Sequence, residues 1–221
     1  MLTTLETRDG AAWITVDDGK VNAMSLDMLR DVSRRLDEAR PLGVPVVLKG
    51  RPGVFSAGFD LKTFARGPEA SAPMVEAGVS LIEQMLGFPR PIVTACTGHA
   101  YPMGAFLMLS ADVRFGVAGD WRIGLNEVAI AITVPHFAIE LARYRLTPSA
   151  VMQASTGAMF GPHEAARAGY LDHVVDAGDL DRAVAAEIQR LRAIDMKSYE
   201  QTKPRLNGPI LAAIAAARTR A

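Results

Sequence analysis

Apolar residues fall along this chain in two periods. The short β-branched runs AAWITV (11–16), VPVVLKG (44–50), IVTAC (92–96) and DVRFGV (112–117) are bounded by Gly, Pro or Asp, and they predict strands. Between the first two, Leu29, Val32 and Leu36 recur at helical spacing, RRLDEAR supplies a polar face, and Ser25 stands where an N-cap belongs. A helix over roughly 26–40 follows. The order strand, helix, strand implies parallel pairing and an α/β fold. MGAFLMLSA (103–111), apolar on every side, predicts a buried helix. GPEASAP (67–73) is rich in turn formers and reads as a loop, with a helix over about 74–87 that stops before FPRP. The first 120 residues therefore pass twice through strand, Gly-rich turn and helix.

From about residue 136 the pattern is helical. PHFAIELARYRL and TPSAVMQAS open on Pro or Thr-Pro, suited to a first helical turn, and GPHEAARAG ends on Gly169. LDRAVAAEIQRLRAI and PILAAIAAARTRA are Ala-rich, with apolar stripes that require a surface, either the main core or a neighbouring subunit. No composition break marks a linker, so a core over 1–145 and a helical region over 146–221 are read as one unit.

Composition narrows the function. With 49% apolar residues in 221, the chain can fill a sizeable core. Its 24 acidic and 24 basic side chains are interspersed and sum to zero, so no basic face for nucleic acid is advertised. Cys96 is the only cysteine, which excludes an internal disulfide and a multi-cysteine metal site. The first residues show no basic-then-apolar signal segment, and the reading is cytoplasmic. Apolar runs such as 128–134 are too short to span a bilayer, so no membrane partner is expected. His163 and His173 lack carboxylates at metal-ligand spacing, and no metal site is expected.

Two Gly-rich turns carry the candidate chemistry. SAGFD (56–60) and GHAYPMG (98–104) each follow a strand, and the second leads directly into the apolar helix. Backbone N–H groups at such positions are unpaired and can face a developing negative charge; small residues can equally serve only to permit tight turns. GLNEVAI (124–130) sets one acid, Glu127, among mostly apolar neighbours. It is either an exposed charge or a desolvated acid able to shuttle a proton. Ser56 lacks the G-x-S-x-G spacing of a nucleophile elbow. His99 and His136 could reach a pocket as auxiliary acids, or be ordinary packed and surface residues.

VFSAGFDLK, ACTGHAYPMGAFLMLSADVRF and IGLNEVAIAITVPHFAIELAR, in that order, resemble the enoyl-CoA hydratase/isomerase (crotonase) family, over nearly the whole chain and more weakly after about residue 180. The resemblance implies a spiral of repeated strand-strand-helix units, with C-terminal helices that build a homotrimer or a hexamer and give the Ala-rich tail its surface. It implies an acyl-CoA substrate, coenzyme A entering as part of that substrate and no permanently bound cofactor. The backbone N–H groups of Phe59 and Met103 would hold the thioester oxygen, and Glu127, preceded by Asn126, would be the catalytic acid/base. Ala57, Gly58 and Leu61 would line the adenine pocket. Lys20 and Lys62 are candidates for the CoA phosphates, and Asp60 belongs to the same stretch, its side chain satisfying N–H groups of the loop.

One departure from the family pattern bears on the reaction. Hydratases of the family carry a second glutamate on the helix after the second glycine turn, and here that position is Phe106. No acid lies between Gly98 and Ser110. A single acid can move a proton without water, which favours conversion of a 3-enoyl-CoA to a 2-enoyl-CoA. GLNE and YPMG also look more like the mitochondrial-type isomerases than the hydratases. The alternatives are a hydratase in which Glu127 acts alone or with His99, and an acyl-CoA-binding protein without turnover.

Overall fold

The computed structural model describes residues 2–218. Six strands form one sheet: β1 (Thr3–Arg8), β2 (Ala11–Val16), β3 (Val46–Lys49), β5 (Ile92–Cys96), β7 (Val113–Val117) and β10 (His173–Val175), in that spatial order. Only the β1–β2 hairpin is antiparallel. A second sheet runs in the order β4 (Gly53–Ser56), β6 (Gly98–Ala100), β8 (Ile123–Gly124), β9 (Met159–Phe160). The helices are α1 (Leu26–Ala39), α2 (Leu61–Phe64), α3 (Pro68–Leu86), α4 (Pro102–Leu109), α5 (His136–Arg145), α6 (Pro148–Ala154), α7 (Pro162–Ala168), α8 (Leu180–Arg192) and α9 (Met196–Arg218). Each turn of the spiral thus gives one strand to each sheet and then a helix: β3-β4-α2/α3, β5-β6-α4, β7-β8-α5.

The six-stranded sheet is covered on both faces, as parallel sheets are. Alternate residues Ala12, Ile14, Val46, Leu48, Ile92 and Cys96 enter the main core. Their neighbours Ala11, Trp13, Val47, Val93 and Ala95 meet Leu180, Val184, Ile188 and Leu191 of α8 on the other side. Local signals behave as read: Ser25 Oγ accepts from the Met28 N–H at 3.2 Å, and Thr147 Oγ1 from the Ala150 N–H at 3.3 Å. Gly169 closes α7 at φ 103°.

One expectation is corrected. The segment after Gly67 is helix rather than loop: Gly67, at φ 96°, precedes Pro68 at the first position of α3, where a missing N–H costs nothing, and Glu69 sits favourably in the first turn. Of the two surfaces open to the tail, the main core receives part of it. In α9, Ile210, Ile214 and Ala217 are buried in the main core, and Asn207 Nδ2 donates to the Leu86 carbonyl at 2.8 Å. The Tyr144 hydroxyl donates to Asn207 Oδ1 at 2.7 Å, and Lys203 Nζ, almost fully buried, meets Asp112 Oδ2 at 2.7 Å. Arg218 reaches back to Glu76 and Glu83 of α3.

The two sheets meet where the backbone leaves no room for side chains. A Cβ on Gly98 would lie 2.1 Å from the Gly53 carbonyl carbon and oxygen, atoms that cannot move without breaking the β4–β6 pairing. Gly98→Ala is therefore expected to cost more than about 4 kcal/mol in urea denaturation, in the range reserved for steric overlap in a core. Gly208, on α9 with nothing within 4 Å of a built Cβ, is the opposite case. Gly208→Ala is nonetheless expected to bring no gain in the same measurement, because a Cβ on the residue before Pro209 meets the proline ring in the helical conformation.

Candidate active site

Between the two sheets' corners lies an apolar cavity of about 420 Å³. The turn after β4 supplies Ala57, Gly58 and Phe59; α2 supplies Leu61 and Phe64; α4 supplies Pro102 and Phe106; the loop after β8 supplies Asn126 and Glu127. The two Gly-rich turns are tied directly: the Tyr101 N–H donates to the Ser56 carbonyl at 2.9 Å, and a Cβ on Gly58 would stand 3.5 Å from Pro102 N. A Cβ on Gly78 of α3 would meet the Phe59 ring at 2.7 Å and Met103 Sδ at 3.2 Å, so one small residue lets both turns settle against α3.

Neither the Phe59 nor the Met103 N–H has an acceptor within the described chain. Met103 occupies the second position of α4, where no preceding helical carbonyl exists, and Phe59 lies between Gly58, whose carbonyl accepts from Met24, and Asp60, whose N–H donates to Met24. Two free donors therefore stand where the turns meet, Phe59 on the cavity wall and Met103 buried next to the wall residue Pro102 without lining the cavity itself.

Glu127 is 5% exposed, and neither carboxylate oxygen has a hydrogen-bond partner. Its backbone is held firmly, the carbonyl accepting from the N–H groups of Ile130 at 3.0 Å and Ile132 at 2.9 Å. Burial pushes the carboxyl up to about 7, against a smaller lowering by its own backbone N–H. Phe106 is fully buried opposite, edge-on to Phe137 with centroids 5.6 Å apart. Tyr101 is the only other titratable side chain on the wall.

Several sequence expectations are corrected here. His99 does not line the cavity: its Nδ1 accepts from the Arg122 N–H at 3.0 Å and its ring packs edge-on against Trp121. Strand alternation in β6 explains this, since Gly98 and Ala100 are buried while His99 is turned the other way. His136, at the first position of α5, is exposed; Pro135 lines the cavity and Phe137 packs inward instead. Asp60 lies outside the cavity and plays the loop role read from the sequence: it caps α2, Oδ1 accepting from the Lys62 N–H at 3.1 Å and Oδ2 from Thr63 Oγ1 at 2.8 Å. Lys20 and Lys62 stay as candidates, exposed to solvent beyond the cavity, Lys20 beside Val21, whose carbonyl accepts from Ala57. Ser56 is buried and donates to the Asn22 carbonyl at 2.8 Å, a structural role. Phe64, Val75, Ile130, Ile132 and Thr133 also line the cavity. Nothing in their spacing distinguishes them from core or surface positions. Among the described residues no group of three or more His, Cys, Asp or Glu could hold a metal ion, and no helix is long and apolar enough to cross a membrane.

The sequence and the fold both match known proteins. A family model described as enoyl-CoA hydratase/isomerase matches residues 6–219. The chain is 41% identical to a solved enoyl-CoA hydratase/isomerase family protein from Pseudomonas syringae, covering 99% of this chain and 96% of that one, with a TM-score of 0.97. It is 34% identical to an enoyl-CoA isomerase from Mycobacterium tuberculosis, over 98% and 95% of the two chains, with a TM-score of 0.93. A probable enoyl-CoA hydratase of Bacillus subtilis is 32% identical over 86% of this chain and 73% of its own length. A cavity bounded by two Gly-rich turns, with one desolvated carboxylate in its wall, thus sits on the matching fold, and the chain belongs to the enoyl-CoA hydratase/isomerase family.

Proposed function

We propose that this enzyme moves the double bond of a 3-enoyl-CoA into conjugation, giving the 2-enoyl-CoA, with Glu127 as the single proton carrier. The observation that carries this reading is the cavity wall itself: one carboxylate, no second acid, and Phe106 where a hydratase of the family has its second glutamate. Deprotonated Glu127 removes a proton from the α-carbon. The electron pair moves into the thioester, and the dienolate oxygen is held by the N–H groups of Phe59 and Met103. Glu127, now protonated, returns the proton to the γ-carbon as the double bond settles between the α- and β-carbons. Atoms balance without water, and the apolar wall keeps the intermediate from competing hydration.

Coenzyme A enters as part of the substrate, with Ala57, Gly58 and Leu61 at its adenine and Lys20 and Lys62 near its phosphates. The wall offers the acyl chain Phe64, Val75 and Ile130, which suits an unsubstituted hydrocarbon. Assembly as a homotrimer or hexamer is part of the same reading. Met152 on α6 and Leu206 on α9, 68% and 62% exposed, are candidate contacts between copies.

A carboxylate without partners in an apolar wall costs stability. With its folded value raised to about 7, the native state holds a proton that the unfolded chain releases near the ordinary carboxylate range. Stability is therefore greatest below that range and falls as pH rises, until Glu127 is fully ionised above about 7. A shift of that size corresponds to roughly 3 kcal/mol. Glu127→Gln is expected to be more stable than the parent by that order at pH 8 and nearly equal to it at pH 5, read by urea denaturation at the two pH values.

Activity should move the opposite way. With a 3-enoyl-CoA, conjugated-thioester absorbance should grow, and kcat/KM should rise through pH about 7 as Glu127 ionises. Glu127→Gln should lose on the order of 10³-fold or more. Loss of absorbance from a 2-enoyl-CoA, dependent on Glu127 and faster than the gain from the 3-enoyl-CoA, would overturn the assignment in favour of hydration.

A further inference from the structure

In the turn after β4, three consecutive-looking donors are taken and one is not. The Ala57 N–H donates to the Val21 carbonyl at 3.0 Å, the Gly58 N–H to Ser56 Oγ at 3.1 Å and the Asp60 N–H to the Met24 carbonyl at 3.4 Å. Phe59, between them, has no acceptor within the described chain. The Met24 N–H in turn donates to the Gly58 carbonyl at 2.8 Å, and Met24 and Phe59 form an isolated bridge. The turn is part of no helix or extended strand pairing, so its geometry is set by the segment 21–24 that lies along it. That segment needs an anchor of its own.

Asn22 supplies it. The residue is fully buried at φ 52°, in the left-handed region that Asn adopts more readily than most residues with a side chain. Its Nδ2 donates to the Val16 carbonyl at 2.9 Å, at the end of β2, and to the Phe55 carbonyl at 3.3 Å, near the end of β4. Its Oδ1 accepts from the Asp18 N–H at 3.0 Å, and its own N–H donates to Asp18 Oδ1 at 2.9 Å. Its carbonyl accepts from Ser56 Oγ at 2.8 Å. The Ser56 hydroxyl passes this constraint on, donating to Asn22 and accepting from Gly58, the residue before the free donor.

We propose that Asn22 is a positioning residue for the Phe59 donor, acting through Ser56; the inference rests on the thioester-binding role given to that donor above. A donor stabilises developing charge only if it is aimed before the charge forms, and a displacement of about 1 Å can cost on the order of 100-fold in rate. The brace is stiff because both polar atoms of the Asn22 side chain are engaged away from water, so any other rotamer leaves buried groups unpaired. Neither Asn22 nor Ser56 lines the cavity. Any effect they have on a bound thioester passes through the turn.

The thioester carbonyl itself reports the donors, since a hydrogen bond to its oxygen draws electrons from the carbon and moves the ¹³C NMR signal downfield. Hexanoyl-CoA labelled at that carbon has no double bond to move, so this measurement does not depend on turnover. The signal should move downfield on binding to the parent. Most of that movement should be lost in Ser56→Ala, which removes a single oxygen, and in Asn22→Gly, which keeps the left-handed backbone. With a 3-enoyl-CoA, each variant should lower kcat about tenfold or more, leave KM within about twofold, and keep the acid limb of kcat/KM at about pH 7, because Glu127 is untouched. Should Asn22→Gly not fold, as read by circular dichroism, Ser56→Ala carries the test alone. A downfield movement of parent size in Ser56→Ala, or a kcat within about twofold of the parent, would overturn the proposal. A movement lost in the variants of a protein inactive on 3-enoyl-CoA would uphold the brace and remove the isomerase assignment alone. No movement in the parent would remove the donor reading and the brace with it.

Discussion

Everything in this molecule that bears on chemistry depends on two chain corners packing at backbone distance. Gly98 lies over Gly53, Gly104 over Ser56 and Gly58 against Pro102, and at the first two a methyl group would overlap its neighbour. Because the corners touch, the Phe59 and Met103 N–H groups, neither with an acceptor in the described chain, are held close to the same cavity. Their lack of acceptors follows from where they stand: one between the two ends of an isolated bridge to Met24, the other in the first turn of a helix. Strong catalytic donors need geometry fixed before the substrate arrives, and corners with no side chains between them have little freedom to rearrange.

The second constraint is electrostatic. The wall around Glu127 is apolar enough to raise its pKa substantially. In so poor a dielectric every interaction with a charge is amplified. A pocket that moves one proton and excludes water has reason to be built this way. A pocket that splits water needs a polar site for the water and a second group to hold it. On this wall Phe106, edge-on to Phe137, presents an apolar ring.

Legibility in the sequence followed the length and burial of each element. The strands buried on both faces, such as Val46–Lys49 and Ile92–Cys96, read clearly, since they are rich in β-branched residues and carry no charge before their ends. Strand β1 did not, because TTLETR carries mostly polar side chains. The second sheet was almost invisible: GVFS and GHA are too short and too rich in glycine to show alternation, so they passed as turns. The base was legible as a lone acid in an apolar setting, and the family motif gave it a role. His99 and His136 were misplaced because a residue's distance along the chain from a turn does not say which way a strand or helix aims it.

Helix α9 returns across the body to clamp α3 through Arg218, which meets Glu76, a residue 142 positions earlier in the chain. Helix α3 contributes Val75 to the cavity wall and supports both Gly-rich turns at Gly78. Order during folding follows from this arrangement. The spiral can close turn by turn from neighbouring segments, with α3 already packed on α1 through Gln84 and Ser33, but the clamp from α9 joins some of the most distant residues in the chain, and such contacts form slowly. On the ribosome, the pocket wall would be laid down in two stages, first by the spiral and later, once α9 had emerged, by the helix that locks α3 from behind.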